Sequence, residues 1–274
     1  MAIPHESSAA VGPPRLVGRF VASQALVWLL AAPLLGAAVA RLAVWVQNFR
    51  APLLIFPLLV GCGLGLLLVG LMRLVQVGHR ATLWSGALLA VAVAVAGQHY
   101  ISFLDFKAAM IAQRPQGLAL AEFQEMMPGA ATDLRSFMQR QAALGRPVTA
   151  EFALRGAATW ASWALDGLLV LVAALTIVCL ACRVPYCHLC RSWYRTTRAG
   201  PLAAETARQI AAAASLPIEE PLGGAQYRLS HCVGGCGPTR LELAVSSRKK
   251  AKVVEAWLPA AQREQVVRVL DGME

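Results

Sequence analysis

Apolar residues along this chain fall in four long blocks that alternate with more polar stretches. Each block holds about twenty residues, the length that an α-helix needs to cross the roughly 30 Å hydrocarbon core of a bilayer. The pattern therefore predicts four membrane-spanning helices. They cover Val21–Ala40 with an extension toward Val46, Pro52–Met72, Ala81–Leu104 and Ala158–Ala181.

The composition agrees with this pattern. Of the 274 residues, 57% are hydrophobic and 15% are charged, whereas about 25% of residues are charged in an ordinary soluble domain. The excess comes from Ala, Leu and Val, since aromatic residues make up only 7%. A soluble protein with a single core, a disordered chain and a disulfide-dense secreted mini-protein are therefore excluded.

Basic residues are concentrated beside particular ends of the blocks, and the net charge is +10. An excess of Lys and Arg in short loops marks the cytoplasmic side. Arg41 and Arg50 oppose the orientation that the other groups favour, but they are outnumbered. We therefore expect a multi-pass protein of the bacterial cytoplasmic (inner) membrane with both termini in the cytoplasm. The groups that favour this orientation are Arg15, Arg19, Arg73, His79, Arg80, Arg183, Arg191, Arg195 and Arg198.

The first block has a competing interpretation. Ala38-Val39-Ala40 has the small-x-small pattern of a secretory cleavage site after an apolar stretch. The run of Val21–Ala40 is, however, longer than the apolar region of a typical signal peptide. We expect it to be retained as a membrane helix, and cleavage would leave the remaining topology unchanged.

Small residues in the second block suggest a close helix contact. Gly61 and Gly65 are four residues apart, a spacing that lets another helix backbone approach closely. A contact within the molecule and a dimer contact both fit. Glycine is also common in membrane helices, so a pair without a special role stays open as well.

The long loop at 105–157 is too patterned for a bare connector. It predicts two amphipathic helices, Leu118–Met127 and Asp133–Leu144. Thr132 is the expected N-cap of the second helix, and Gly145-Arg146-Pro147 is its stop signal. We interpret the pair as a helical cap rather than as a substrate lid. Its expected apolar face consists of Leu134, Phe137, Met138 and Leu144.

Four of the seven cysteines form two closely spaced pairs. Cys187 and Cys190 are separated by two residues, and Cys232 and Cys236 by three. Each pair can form a tight turn, and two such turns brought together make the tetrahedral four-sulfur site that Zn²⁺ favours in structural positions. Gly234, Gly235 and Gly237 are expected to supply positive φ angles to the second turn. The sequence therefore predicts a structural zinc site.

The residues around these pairs predict a small α+β domain. Strands are expected at Ala225–His231, Thr239–Val245 and Ala251–Leu258, with helices at Ala203–Ser215 and Pro259–Leu270. Residues 183–258 resemble a zinc-ribbon module. The chain is also similar to uncharacterised bacterial multi-pass proteins that carry a YCxxCxxW segment, through Tyr186, Cys187, Cys190 and Trp193. The first resemblance implies a metal-stabilised domain, and the second implies no activity.

Other interpretations of the cysteines stay open. Cys179 and Cys182 precede the first pair and complete a dense four-thiol run typical of an iron–sulfur cluster, although both lie in or beside the fourth block. Cys187 and Cys190 alone are a candidate redox dithiol, and disulfides would require an oxidising compartment. Cys62 lies mid-span and is expected only to pack. His188 and His231 flank the ligands but are expected to be solvated.

A carboxylate within the fourth block is the second candidate site. Asp166 is costly in a membrane, so a proton or cation path in a small transporter or channel component is one hypothesis for it. His99 and Tyr100 are its expected partners. A single acid without polar residues along the other spans favours the alternative, a hydrogen-bonded acid near the interface.

Catalysis and nucleic-acid binding have little support. The chain contains no His-Glu-x-x-His, no Gly-x-Ser-x-Gly and no phosphate-binding Gly-x₄-Gly-Lys-Ser/Thr motif, so we expect it not to be an enzyme. The basic run 248–252 has no aromatic residues interleaved with it for base stacking. It fits a solvated turn or contact with lipid headgroups better.

The sequence therefore predicts a mostly α-helical membrane protein with a four-helix transmembrane bundle and a small C-terminal α+β zinc-ribbon-like domain. We expect this domain to act as an assembly or protein-interaction module, with membrane lipid and a protein partner or a second copy as binding partners and no identifiable small-molecule substrate. The chain divides into an N-terminal cytoplasmic segment at 1–20, three spans in 21–104, the outer loop 105–157, the fourth span 158–182 and the cytoplasmic domain 183–274.

Overall fold

The computed structural model describes residues 18–47, 54–113, 133–148, 152–216, 225–246 and 251–272. The chain forms two compact units, one from Val21 to Cys182 and one that contains residues 183–274 together with the N-terminal segment. Three sequence features lie outside the described residues. They are the predicted helix Leu118–Met127, the predicted cap Thr132 and the basic residues Arg248–Lys250.

Four helices among the described residues of the first unit are long and apolar enough to cross a membrane. The chain here is therefore mostly helical, as predicted, and the extension of the first block toward Val46 is confirmed. The long helices are α1 (Ala22–Gln47), α2 (Ile55–Val75), α3 (Arg80–Ala112) and α5 (Ala157–Ala181), and the short helix between the last two is α4 (Leu134–Leu144).

Helix α3 continues well beyond the predicted end at Leu104. Asp105 and Lys107 break the apolar block there, but apolar residues continue at helical spacing. Phe103 is buried with Phe137 of α4, and their ring centroids are 5.6 Å apart. Phe106 packs on the same ring at 5.4 Å. The extra turns of α3 therefore exist because they carry the contact surface for α4.

The long helices pack as two close pairs, α1 with α3 and α2 with α5. A Cβ atom at Gly61 would lie 2.7 Å from the carbonyl oxygen of Val170, and one at Gly65 would lie 3.0 Å from that of Ala174. The two glycines therefore make a contact within the molecule, between α2 and α5. Of the possibilities that the sequence leaves open, a contact within the molecule is therefore the one that the structure contains.

The pair of α1 and α3 is built around Trp28. Its indole is fully buried, fills the space beside Gly86, and donates a hydrogen bond of 2.9 Å from Nε1 to the carbonyl oxygen of Thr82. Gly36 likewise faces the backbone of Ala90 across the same pair. Both helix pairs thus depend on positions where no side chain beyond hydrogen fits.

The start of α4 differs from the prediction. Its N-cap is Asp133, which accepts a 2.8 Å hydrogen bond from the backbone N–H of Ser136 in a capping box. Phe137 is buried as expected, but Leu144 is exposed because α4 ends there and the chain turns at Gly145, where φ is 91°. Two short strands, β1 (Arg146–Pro147) and β2 (Ala153–Leu154), pair after this turn.

The second unit contains a four-stranded antiparallel sheet and a separate short hairpin. The three predicted strands are present, and both predicted helices are confirmed within two residues at each end. Strands β3 (Tyr186–Cys187) and β4 (Ser192–Trp193) form the hairpin, and β5 (Arg195–Leu202), β6 (Ala225–His231), β7 (Thr239–Ser246) and β8 (Ala251–Leu258) form the sheet in that order. The helices are α6 (Ala204–Ala213) and α7 (Ala260–Asp271).

The two faces of the sheet differ in polarity. Leu241 and Leu243 of β7 are fully buried in a core shared with Ile210 of α6 and Val266 of α7. On the alternate positions of the strands, charged residues form an ion-pair network, because side chains of a strand alternate between its faces. Its pairs are Arg228–Glu242, Arg240–Glu242 and Arg240–Glu255.

Candidate metal centre

The first cysteine pair lies at the tip of the β3–β4 hairpin, with Cys187 at the end of β3 and Cys190 in the turn. Tyr186 and Trp193 face each other across this hairpin in an edge-to-face contact, with ring centroids 5.2 Å apart. Cys187 is buried, and its sulfur accepts hydrogen bonds from the backbone N–H groups of Leu189 and Cys190. We call residues 187–190 the first knuckle. These backbone donors would stabilise the negative charge that the sulfur takes on when it binds a metal ion.

The second cysteine pair lies in the loop that joins β6 to β7. Cys232 follows the last residue of β6 and is fully buried. Its carbonyl oxygen accepts a 3.0 Å hydrogen bond from the N–H of Gly235, and its sulfur accepts one of 3.3 Å from the N–H of Gly237. We call residues 232–237 the second knuckle. It repeats the pattern of backbone donors facing a sulfur.

The three glycines of the second knuckle have different roles, and the prediction that each has a positive φ angle is wrong. Only Gly235 does, with φ of 62°. Gly234 is needed because a Cβ there would lie 3.0 Å from the Cβ of Cys190. Gly237 is needed because a Cβ would lie 2.7 Å from the hydroxyl oxygen of Tyr194. Two glycines therefore allow close approach, and one allows the turn.

The four predicted ligand sulfurs lie together. The ligand atoms of Cys187, Cys190, Cys232 and Cys236 all lie within 4.8 Å of one another. The sulfur of Cys236 is 3.6 Å from that of Cys187 and 3.7 Å from that of Cys232. Sulfurs about 2.3 Å from a central zinc ion form a tetrahedron with edges of about 3.8 Å. The spacing therefore fits a metal ion bound by four thiolates.

Ser192 links the two knuckles. Its buried hydroxyl lies 3.0 Å from the sulfur of Cys190, and it accepts a 3.3 Å hydrogen bond from the backbone N–H of Val233. Tyr194 also supports this end of the unit. Its hydroxyl donates a hydrogen bond to the carbonyl oxygen of Pro238 at 2.9 Å, and its ring packs on that of Trp257. A shell of side chains therefore holds the ligands in position. Sequence analysis missed both residues, since an isolated Ser or Tyr gives no signal of this role.

The proton affinities of the thiols reflect their crowding. Burial raises the pKa of Cys187. Burial acts in the same direction on Cys190, but hydrogen bonds to its sulfur from Ser192, from the backbone of Gly234 and from the neighbouring thiols outweigh it and lower its pKa to about 6. Desolvation and the bonds that its thiol donates to neighbouring sulfurs raise the pKa of Cys236 to about 12, although the residue as a whole is exposed. The sulfurs thus share protons that a divalent cation would replace.

The remaining cysteine hypotheses fit the geometry less well. All seven cysteines lie within the described residues and are free, and the sulfur separations of 3.6 and 3.7 Å far exceed a disulfide bond of about 2.04 Å. Cys179 lies within α5, and Cys182 caps its C-terminus. His188 is exposed, and the Nδ1 atom of His231 contacts the carbonyl oxygen of Cys232 at 2.8 Å. The sulfurs that meet are therefore those of the two knuckles.

The predicted partner His99 lies close enough to interact electrostatically with Asp166, but the direct partner of the carboxylate is a residue that the sequence does not single out. Asp166 forms an ion pair with Arg146 of strand β1, and the guanidinium of Arg146 also donates to the hydroxyl of Ser162 at 3.4 Å. Tyr100 is exposed, and the ring of His99 packs on Trp163 at 5.2 Å. The carboxylate therefore attaches the β1–β2 hairpin to α5. Among the sequence's two hypotheses for Asp166, this contact resembles the paired acid more than an unpaired acid along a transport path.

Comparison with known proteins adds no relative to this description. No family model, no curated protein and no solved structure matches the chain. The resemblance to a zinc ribbon therefore depends on the four cysteines and on the geometry that brings them together.

Proposed function

We propose that this protein is a four-span protein of the bacterial cytoplasmic membrane whose C-terminal unit is a zinc-stabilised assembly module. In this proposal both termini lie in the cytoplasm, and residues 183–274 bind a protein partner beside the membrane. The observation that carries it is the convergence of four thiols from two distant parts of the sequence within 4.8 Å.

Zinc is the metal that this donor set favours. Four thiolates in a tetrahedral arrangement are typical of structural zinc sites and of iron–sulfur proteins. The sulfur of Cys236 lies 3.6 Å from that of Cys187 and 3.7 Å from that of Cys232. These separations are the ones expected around one ion. A Cys₄ set also fills the coordination sphere of zinc, so no position stays open for a substrate. We therefore assign the metal a structural role.

The packing of the second unit supports a need for metal. Its main core lies between the sheet and the two helices, around Leu241 and Leu243. The knuckle end has a separate and smaller cluster built on Cys187, Tyr194 and Cys232. Since metal coordination couples binding to folding, an ion would supply at this end the cohesion that apolar burial does not.

The membrane assignment is supported by the four apolar helices and by the positions of the basic residues. Arg73, His79 and Arg80 lie around the short connection between α2 and α3, and Arg183 follows α5 closely. Positive charge in such positions favours the cytoplasmic side. Anchored in this way, a folded module beside the membrane would concentrate its partner there, as expected for a subunit of a larger membrane complex.

The metal assignment is tested by elemental analysis of the full chain purified in detergent. We expect about one zinc per chain, and loss of that zinc in the double variant Cys232→Ser, Cys236→Ser. The matched control is Cys62→Ser, which removes a thiol from α2 and should leave the zinc content unchanged. A zinc content that the double variant does not lower would contradict the assignment, as would iron with inorganic sulfide.

The assembly role is tested separately by purifying the protein from native membranes under mild conditions. We expect a stoichiometric protein partner with the wild type and with Cys62→Ser, and loss of that partner with the double cysteine variant. A wild-type protein that retains zinc but purifies without a partner would overturn the assembly role and leave the metal site intact.

A further inference from the structure

The tips of both knuckles expose apolar side chains. Leu189 of the first knuckle is 64% exposed, and Val233 of the second is 58% exposed. Among the described residues of 183–272, Val253 of β8 is the other large apolar residue of comparable exposure, at 64%. Exposed apolar groups are therefore concentrated at the metal centre.

Residues next to the two tips lie close together. A Cβ at Gly234, the residue after Val233, would lie 3.0 Å from the Cβ of Cys190, the residue after Leu189. The backbone N–H of Val233 also binds Ser192. The coordination that holds the knuckles together would thus fix the two apolar tips as one rigid protrusion.

The chain beside the first knuckle carries positive charge. Arg191 directly follows this knuckle, Arg195 begins β5, and both are exposed. In the sequence, neither 183–204 nor 221–241 contains an acidic residue. An apolar tip with cationic residues beside it in the chain matches the interface of a bilayer, where acyl chains lie beneath negatively charged headgroups.

The first knuckle also follows the fourth long helix closely in the sequence. Leu189 follows the last residue of α5, Ala181, by eight residues. Even a fully extended segment of that length spans no more than about 29 Å. The link to α5 therefore sets an upper limit on the distance between the first knuckle and the end of that helix.

We propose that the two knuckle tips form a membrane-surface anchor that inserts Leu189 and Val233 among lipid headgroups and binds anionic phosphates through Arg191 and Arg195. Two exposed apolar side chains on one protrusion are enough to enter the headgroup region of a bilayer, whereas a stable protein interface needs a larger continuous patch. The anchor goes beyond the assembly role and rests on the knuckles being folded, as the proposed metal site requires.

The test uses the full chain reconstituted in vesicles, with a photoreactive benzophenone amino acid at position 189, 233 or 253. Position 253 is the matched control, because Val253 is as exposed as Leu189 and follows the basic run 248–252 in the sequence. One set of vesicles contains phosphatidylcholine alone, and the other contains phosphatidylcholine with phosphatidylglycerol. Zinc content is measured on every sample.

We expect lipid adducts at 189 and 233 that exceed those at 253, and a rise of about tenfold in their yield when phosphatidylglycerol is present. The double variant Arg191→Gln, Arg195→Gln should reduce that yield to the level in phosphatidylcholine alone while zinc is retained. Equal lipid adducts at all three positions in zinc-containing protein would overturn the anchor, and so would protein adducts at 189 in native membranes. Absence of zinc from the unsubstituted protein would instead overturn the proposed metal site.

Discussion

The two units of this protein hold their elements together in different ways. In the first unit, α2 and α5 approach each other at Gly61 and Gly65, and α1 and α3 approach each other around Trp28. In the second unit, an apolar core supports the sheet, and four thiols from the two knuckles meet at its end.

This difference is the one expected from the surroundings that the proposed function gives to each unit. Between helices in lipid there is little hydrophobic gain from contact, so close packing at small residues decides which helices pair. A domain of about ninety residues in water buries a limited apolar core. Under the proposed function, its knuckle end therefore depends on coordination. Steric fit should thus govern the first unit, and metal should govern the second.

Metal removal should separate the two units most clearly. A strong chelator removes a binding free energy of about 10 kcal/mol or more from the fold of a structural zinc site, which is comparable to the whole stability of a typical domain. We expect backbone amides of both knuckles and of β6 and β7 to lose hydrogen-exchange protection, while α2 and α5 keep theirs. Equal loss in both units, or none in the knuckles, would contradict the comparison.

Lowering the pH should weaken metal binding, and it should therefore loosen the second unit as chelation does. The pKa values of Cys187 and Cys236 are raised, so both thiols are protonated at neutral pH and must release their protons when metal binds. Metal affinity should therefore fall as the pH falls, by at least about 100-fold for each unit below neutrality. Competition titrations with a zinc indicator measure this slope. An affinity independent of pH would show that these two thiols do not bind the ion.

The steric claim for the first unit is tested within one helix. Gly61→Ala places a methyl group 2.7 Å from the carbonyl oxygen of Val170, and such overpacking costs about 1–3 kcal/mol. Gly63→Ala is the control, because a Cβ at Gly63 meets nothing within 4 Å. Thermal unfolding in detergent should show a loss for the first variant and none for the second, with zinc content unchanged in both. Equal effects would argue against close packing at Gly61.

The corresponding test in the second unit compares two glycines of one knuckle. Gly237→Ala should displace Tyr194 and weaken zinc binding by about 1–3 kcal/mol, because the new methyl group would lie 2.7 Å from the tyrosine hydroxyl. Gly235→Ala meets open space and carries only the cost of a positive φ angle, about 1 kcal/mol. Zinc competition measurements rank the two variants, and the reverse order would contradict the assigned roles.

The features that could be predicted from the sequence are those encoded locally. The long apolar blocks identify α1, α2, α3 and α5, and the short spacing within each cysteine pair identifies the four sulfurs. Strand β5 was missed because Arg195–Leu202 contains Gly200 and Pro201 and lacks an apolar alternation. Its stability comes from pairing with β6, which no local pattern reports.

Other misses share this cause. Asp166 pairs with Arg146, which the sequence presents only within a stop signal after α4. The close approaches at Gly36 and Gly86 escaped notice because both glycines are isolated in their helices and acquire a role only through the partner helix. Ser192 is likewise an ordinary residue until the fold places its hydroxyl between the two knuckles.

The central claim is that sulfurs from two distant segments bind one ion. X-ray absorption at the zinc edge of the purified full-length protein tests it most directly. We expect a single shell of sulfur scatterers at about 2.3 Å with the amplitude of four ligands, and loss of that shell in the double variant Cys232→Ser, Cys236→Ser. A shell dominated by nitrogen or oxygen, or zinc absent from well-folded protein, would contradict the account.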